Sequence, residues 1–211
     1  DVPLRERNTM LLAAGFAPRY PARDLADVTM RRISESLQRM LDLHDPFPGV
    51  VIDRQWNVLL TNHAVTALTA GLPEHVLAPT PNVFRMCLHP DGLAAATVNF
   101  VEWATYLLRQ LRRTIVLTGD GGLIALESEV LEYPNVARVV RRATTDGAEE
   151  LRILVPFVLA ADDGTELSFF TTLTTFGTPL DVTLDELAVE LFFPADDTTE
   201  VAMRARELES G

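Results

Sequence analysis

Apolar and polar positions recur with two different periods along the chain, and the changes of period divide it into an early β pair, a helical middle and a β-rich end. The opening segment predicts a short helix that Asp1 can cap and Gly15 can close, with Pro3 in its first turn and Leu4, Leu11 and Leu12 as its apolar stripe. Residues 16–25 carry Pro18 and Pro21 without periodicity and read as a linker. From about Asp27 to Leu43, Met30, Ile33, Leu37, Met40 and Leu41 recur at three- and four-residue steps, which predicts a second helix with one apolar face. HDPFPG ends it. Two short strands follow, about 50–53 and 56–61, joined by a polar turn at Arg54-Gln55, and Asn62 can cap a short helix through about Ala70.

The middle predicts helices at 82–89, 93–117, 121–132 and 134–142. In the longest, Phe100, Trp103, Ala104, Leu107, Leu111 and Ile115 share a face, while Arg109, Arg112 and Arg113 lie mostly on another. TTDGAEE, at 144–150, reads as an exposed loop. Residues 151–161 and 165–176 form a hairpin pattern turning at Asp163-Gly164, with Pro156 marking an edge strand or a bulge. A third strand is expected over 186–193 and a charged closing helix over 199–208. Joined in one sheet, these strands make an α+β fold: five antiparallel strands with a central helical insert on one side, preceded by N-terminal helices.

A chain of 211 residues fits one large domain, or one domain with a helical extension. With 47% apolar and 23% charged residues, disorder is not its main state. No apolar run approaches the roughly 20 residues that span a bilayer, and no basic-then-apolar leader opens the chain. Asp1 in first place fits a segment of a longer protein. The lone Cys87 excludes internal disulfides and multi-cysteine metal sites, and suits the cytoplasm. Eighteen basic against thirty acidic residues give a net charge of −12, which opposes direct binding to nucleic-acid phosphates.

Candidate chemistry is sparse. His44, His63, His75 and His89 show no HxH, HxxxH or HExxH spacing, so no metal is expected. Cys87, in a short amphipathic helix, reads as a small buried hydrophobe. TGDGG at 118–122 follows a helix and lacks the Lys-Ser/Thr ending of a phosphate loop, so it reads as a helix-to-helix turn. Asp162-Asp163 is turn chemistry. Without a convergent nucleophile, acid-base set or metal, the chain is not expected to be an enzyme.

The runs GVVIDRQWNVLLTNHAVTAL, NVFRMCLHPDGL, NFVEWATYLLRQLRR and ELSFFTTLTTFGTPLDVTLDELAVELFFPAD resemble the MmyB-like ligand-binding domain found at the C-terminus of XRE-type helix-turn-helix regulators, especially in actinobacteria. The resemblance covers about residues 2–198. It implies a PAS-like fold over 26–211 and, over 1–25, the end of an upstream helix-turn-helix domain with its linker. It also implies that DNA is contacted only through that N-terminal domain. In related proteins a fatty-acid-like ligand is associated with the pocket; no cofactor is implied.

The aromatic set Phe84, Phe100, Trp103, Tyr106, Phe169, Phe170 and Phe176 either fills the core or lines a cavity between sheet and insert. The expected ligand-binding residues are Phe84, Arg85, Leu88, His89, Phe100, Trp103, Tyr106, Leu107, Phe170 and Phe176. Arg85 is the first candidate to receive a carboxylate, with His89 and Arg109 behind it. Burying twelve methylenes at about 0.8 kcal/mol each yields roughly 10 kcal/mol, of which association consumes at least about 4 kcal/mol, leaving micromolar affinity. The helix at 27–43 offers a homodimer surface or packs on its own sheet. Arg109, Arg112 and Arg113 form a solvated face or dock on the parent's DNA-binding domain. The alternative function is a protein-interaction module whose aromatic residues pack solid, with no small ligand.

Overall fold

In the computed structural model, which describes residues 2–23, 27–145 and 154–210, strands β1 (Gly49–Ile52), β2 (Val58–Thr61), β3 (Phe157–Ala160), β4 (Glu166–Thr175) and β5 (Ala188–Pro194) form one antiparallel sheet in the order β2-β1-β5-β4-β3. Helices α1 (Leu4–Ala13) and α2 (Val28–Asp42) precede it. Between β2 and β3 come α3 (His63–Thr69), α4 (Glu74–Leu77), α5 (Val83–Leu88), α6 (Phe100–Thr118), α7 (Gly121–Glu132) and α8 (Pro134–Thr145). A short α9 (Val182–Asp185) leads into β5, and α10 (Asp197–Ser210) follows it. This order, with the helices inserted after the second strand, is the PAS arrangement. The two β regions meet at the centre, where Val50 pairs with Glu190 and Val51 with Val189.

Alternation along the central strands gives the sheet two covered faces. Val50, Ile52 and Ala188 face the insert, where they pack with Phe84 and Leu88 of α5, Trp103 to Leu111 of α6, and apolar residues of α7 and α8. Val51 and Val189 point the other way and meet Leu37 and Leu41 of α2, with Ile33 partly buried beside them. Thus the apolar face of α2 is spent on its own sheet. Met40 and Leu43 remain exposed.

Tertiary contacts override the local pattern in several places. The helix expected over 93–117 is a single turn of 3-10 helix at Leu93–Ala95, a break, and then α6. Residues 96–99 are diverted to β3: Val98 N–H donates to Val158 O (2.9 Å), Ala160 N–H to Ala96 O (2.8 Å) and Asn99 Nδ2 to Pro156 O (2.7 Å). β3 is an edge strand, as Pro156 suggested, and this segment closes its free side. The second strand starts at Val58 rather than at residue 56, because Trp56 takes a left-handed φ of 64° in the β1–β2 turn. There the Asp53 carboxylate accepts from the backbone N–H groups of Gln55 and Asn57. The four-residue helices α4 and α9 lie in segments without periodicity. Of the loop expected at 144–150, Thr144 and Thr145 end α8 and the rest lies outside the described residues, as does Asp1.

The N-terminal segment lies along α9. Leu4 N–H donates to Asp185 Oδ2 (2.8 Å) and Arg5 forms a two-pronged pair with Glu186. Val182 N–H donates to Pro21 O (2.8 Å), and Arg23 pairs with the buried Asp181 (3.0 Å). Of the expected α1 stripe only Leu4 is buried.

The turn at 118–122 is the expected helix-to-helix connection. Gly119, at φ 62°, closes α6, and the buried Asp120 caps α7 by accepting from Gly122 N–H (2.7 Å) and Leu123 N–H (3.2 Å). Arg54 of the β1–β2 turn pairs with its other oxygen. Burial opposes ionisation, but the two backbone donors and Arg54 hold this carboxyl below the usual range. Its stabilising share is therefore present above the unfolded value near about 3.9 and is lost as the pH falls further. Asp120→Ala removes a cap worth about 1 kcal/mol and one of the two carboxylates paired with the part-exposed Arg54, which keeps Glu186 at 3.3 Å, so the expected loss is about 1–2 kcal/mol. A urea midpoint matching the parent's would disprove the cap's role.

Candidate functional site

Between the sheet and the helical insert lies a small hollow of about 50 Å³, walled by Val50, Val65, Met86, Phe157 and Phe169 among other apolar groups. One water takes about 10–15 Å³ of such space, so the cavity has room for roughly four non-hydrogen atoms. Outside it, a groove of about 850 Å³ runs between α3, the β3–β4 hairpin and α10. Leu68, Leu93 and Leu159 line both hollows and form the partition between them. The groove floor is apolar, with Ala64, Leu167 and Met203, while His63, Asp163 and Arg206 supply polar groups. Arg206 reaches Asp163 at 3.3 Å.

One acidic residue borders the inner hollow, its carboxylate shielded from the space. Glu190 of β5 is 7% exposed, and its Oε2 has no hydrogen-bond partner. Burial lifts its carboxyl to about 7, with the Thr171 hydroxyl opposing the shift. Burial and then Glu190 push the Cys87 thiol up to about 12, so Cys87 is a buried, unreactive hydrophobe. Burial and the same carboxylate also raise Tyr106.

The residues expected to line the site fall elsewhere. Phe84 and Leu88 are fully buried in the core; Phe84 meets Trp56 edge-on at 5.2 Å between ring centroids. Trp103 is stacked between Tyr106 (5.2 Å) and Phe157 (4.8 Å), and Leu107 and Phe100 pack in the same cluster. None of these lies on the wall of either hollow. Arg85 cannot serve as a ready carboxylate receptor, because Glu129 already accepts from its Nε and Nη2, both at 2.8 Å, and takes the Tyr133 hydroxyl at 2.7 Å. Phe170 and Phe176 are corrected to the opposite face of the sheet. Phe170 stacks on Phe193 at 5.3 Å, Phe176 packs with the α2 cluster, and strand alternation turns Phe169 inward instead. Arg109 and Arg113 are exposed, and Arg112 pairs with Glu127 at 2.7 Å, which fits the solvated-face reading.

Folding gathers two of the scattered histidines. His89 lies edge-on between His75 (5.1 Å) and Tyr133 (4.8 Å). With Asp91, whose Oδ2 is 3.0 Å from His75 Nε2, they place three possible ligand atoms within 4.8 Å of one another. The His89 Nδ1 lone pair is already engaged by Asp91 N–H at 3.1 Å.

Sequence reasoning missed Glu190 and the Leu68, Leu93 and Leu159 partition. The alternation of ELAVELFF does put Glu190 on one face with Ala188 and Phe192, which was the available signal.

A model of the MmyB-like transcription regulator ligand binding domain matches residues 33–205. No curated protein is similar in sequence. Among solved structures, the chain is similar to the PAS domain of an HTR-like protein from Haloarcula marismortui (11% identity, 78% of this chain and 98% of that chain, TM-score 0.31). It is also similar to the PAS domain from Bordetella pertussis BvgS (11%, 85% and 99%, TM-score 0.31) and to the Rhodobacter sphaeroides LOV protein (12%, 82% and 73%, TM-score 0.35). The fold assignment rests on the strand order itself.

Proposed function

The chain belongs to the family of MmyB-like transcription-regulator ligand-binding domains, and from that premise we propose that it senses a small apolar effector, fatty-acid-like in its hydrocarbon portion. The observation that carries this reading is the groove of about 850 Å³ lying against the apolar cavity behind the sheet. Its volume falls in the range of about 300–1,000 Å³ usual for small-molecule sites. The effector's chain lies in the groove and its end passes the Leu68, Leu93 and Leu159 partition. The role is regulatory rather than enzymatic, and no cofactor takes part.

To act as a signal, the effector must bind one arrangement of the protein better than another. The contacts of Leu4, Arg5, Pro21 and Arg23 along α9 give the N-terminal segment a physical link to the strand that carries Glu190. In this proposal residues 1–25 end an upstream helix-turn-helix domain, DNA is contacted only through that domain, and the regulator works in the cytoplasm as a homodimer. A net charge of −12 supports leaving DNA contact to another domain.

Native mass spectrometry of protein purified from cells is expected to show a co-purified lipid-sized mass, and C12 to C18 fatty-chain compounds are expected to raise the melting temperature. A clean unliganded mass with no stabilisation would instead favour an interaction module without a small ligand. The closely filled space between sheet and insert is the observation on that side.

A further inference from the structure

We propose that His75, His89 and Asp91 form a surface site for a divalent transition-metal ion such as Zn²⁺, which clamps α4 to the turn after α5. None of the three lines either hollow, so the site stands apart from the sensing role proposed above. His75 sits on α4, His89 caps the C-terminal end of α5, and Asp91 follows two residues later. Folding brings one donor atom of each within 4.8 Å of the other two. Asp91 Oδ2 joins the set, at 3.0 Å from His75 Nε2 and 4.0 Å from His89 Nδ1. Two ligands about 2.1 Å from one tetrahedral ion lie about 3.4 Å apart. The two observed spacings bracket that value, and the exposed side chains of His75 and Asp91 are free to adjust.

Two of the ligands stand on a turn that is already well fixed. Gly92 N–H donates to His89 O (2.9 Å), and a Cβ at Gly92 would lie 2.5 Å from Met86 O, so this turn presses directly on α5. The His89 ring is packed edge-on between His75 and Tyr133, and the Tyr133 hydroxyl is itself tied to Glu129. Such surroundings orient a ligand before the ion arrives. Asp91 N–H, which donates to His89 Nδ1 at 3.1 Å, gives up that lone pair to the ion and turns to water, because it is exposed. Two imidazoles with one carboxylate suit Zn²⁺, Co²⁺, Ni²⁺ or Cu²⁺, whereas Mg²⁺ and Ca²⁺ take mostly oxygen ligands. Once bound, the ion ties α4 to the segment leading into Leu93, which lines both hollows. Histidine spacing could not reveal this set, since fourteen residues separate His75 from His89.

The full chain, stripped of metal with a chelator, is titrated calorimetrically with zinc chloride at about pH 7.5, where imidazole is neutral. One equivalent of Zn²⁺ is expected to bind, and Mg²⁺ is not. Co²⁺ should give the visible absorption bands of a nitrogen-ligated ion. His75→Ala and Asp91→Asn, both at exposed positions and checked for folding by circular dichroism, should each weaken Zn²⁺ binding at least about tenfold, since even outer-shell losses cost that much. Amide hydrogen exchange across residues 74–93 should slow on adding Zn²⁺ to the parent and stay unchanged in His75→Ala. Absence of Zn²⁺ binding, several weak equivalents that both variants retain, or Mg²⁺ binding as tightly as Zn²⁺ overturns the site and leaves His75 and Asp91 a surface ion pair only. Binding without slowed exchange overturns the clamp. None of these outcomes bears on the apolar effector.

Discussion

Glu190→Gln is expected to flatten the dependence of stability on pH between about pH 4.3 and about pH 7, the interval in which folded and unfolded forms of this carboxyl differ in protonation. The folded value is raised to about 7 by burial, so in this interval the native state binds the extra proton. The contribution is complete below the unfolded value and declines as the pH rises toward the folded one. A difference of two to three pKa units corresponds to about 3 kcal/mol. Asp120 and Glu129 are shifted downward and act in the opposite sense, so only the difference between parent and variant isolates Glu190. Urea midpoints at about pH 4.5 and about pH 7.5 measure it. Near neutral pH the variant should be the more stable protein, because it buries no charge there. Parallel curves for the two proteins would show that the Glu190 carboxyl is not held in an apolar site.

Phe84→Ala produces the other large expected effect, and it decides between two roles for an aromatic residue. The ring is fully buried and meets Trp56 edge-on. Truncating such a ring costs about 3–5 kcal/mol, or roughly 10 °C in melting temperature for a domain of this size. The loss should appear without any ligand, accompanied by a change in tryptophan fluorescence as Trp56 loses its neighbour. An unaltered melting temperature combined with lost ligand binding would return Phe84 to the effector site suggested by sequence alone.

Some of this architecture is written locally. The three- and four-residue spacing of α2, the Asp163-Gly164 turn and the Gly119-Asp120 connection each depend on chemistry within a few residues, and each is present in the fold. The break before α6 was not legible. Thr97, Val98 and Asn99 are neither proline nor glycine, and what interrupts the helix is the unpaired edge of β3, which reaches them only in the folded state. The inward face of β4 and β5 was equally hidden. Both sides of ELAVELFF and ELSFFTTL carry large apolar residues, because α2 covers the outer face while the helical insert covers the inner one. A two-residue period then separates Phe169 from Phe170 without saying which is inside. The candidate site inherits that ambiguity, since Glu190 acquires its meaning only once its face is known.

The pairing of β1 with β5 has a consequence for how the protein is made. Gly49 and Leu191 are neighbours in space but more than a hundred residues apart in sequence, so this junction closes a very long loop and forms slowly. During synthesis β1 emerges with β2 and must wait, one side unpaired, until β5 has left the ribosome. Throughout that delay Val50 and Val51 present an apolar edge to other chains. Overproduction at low temperature, or with chaperones that shield such edges, should therefore raise the yield of folded protein more than any change made to the helices.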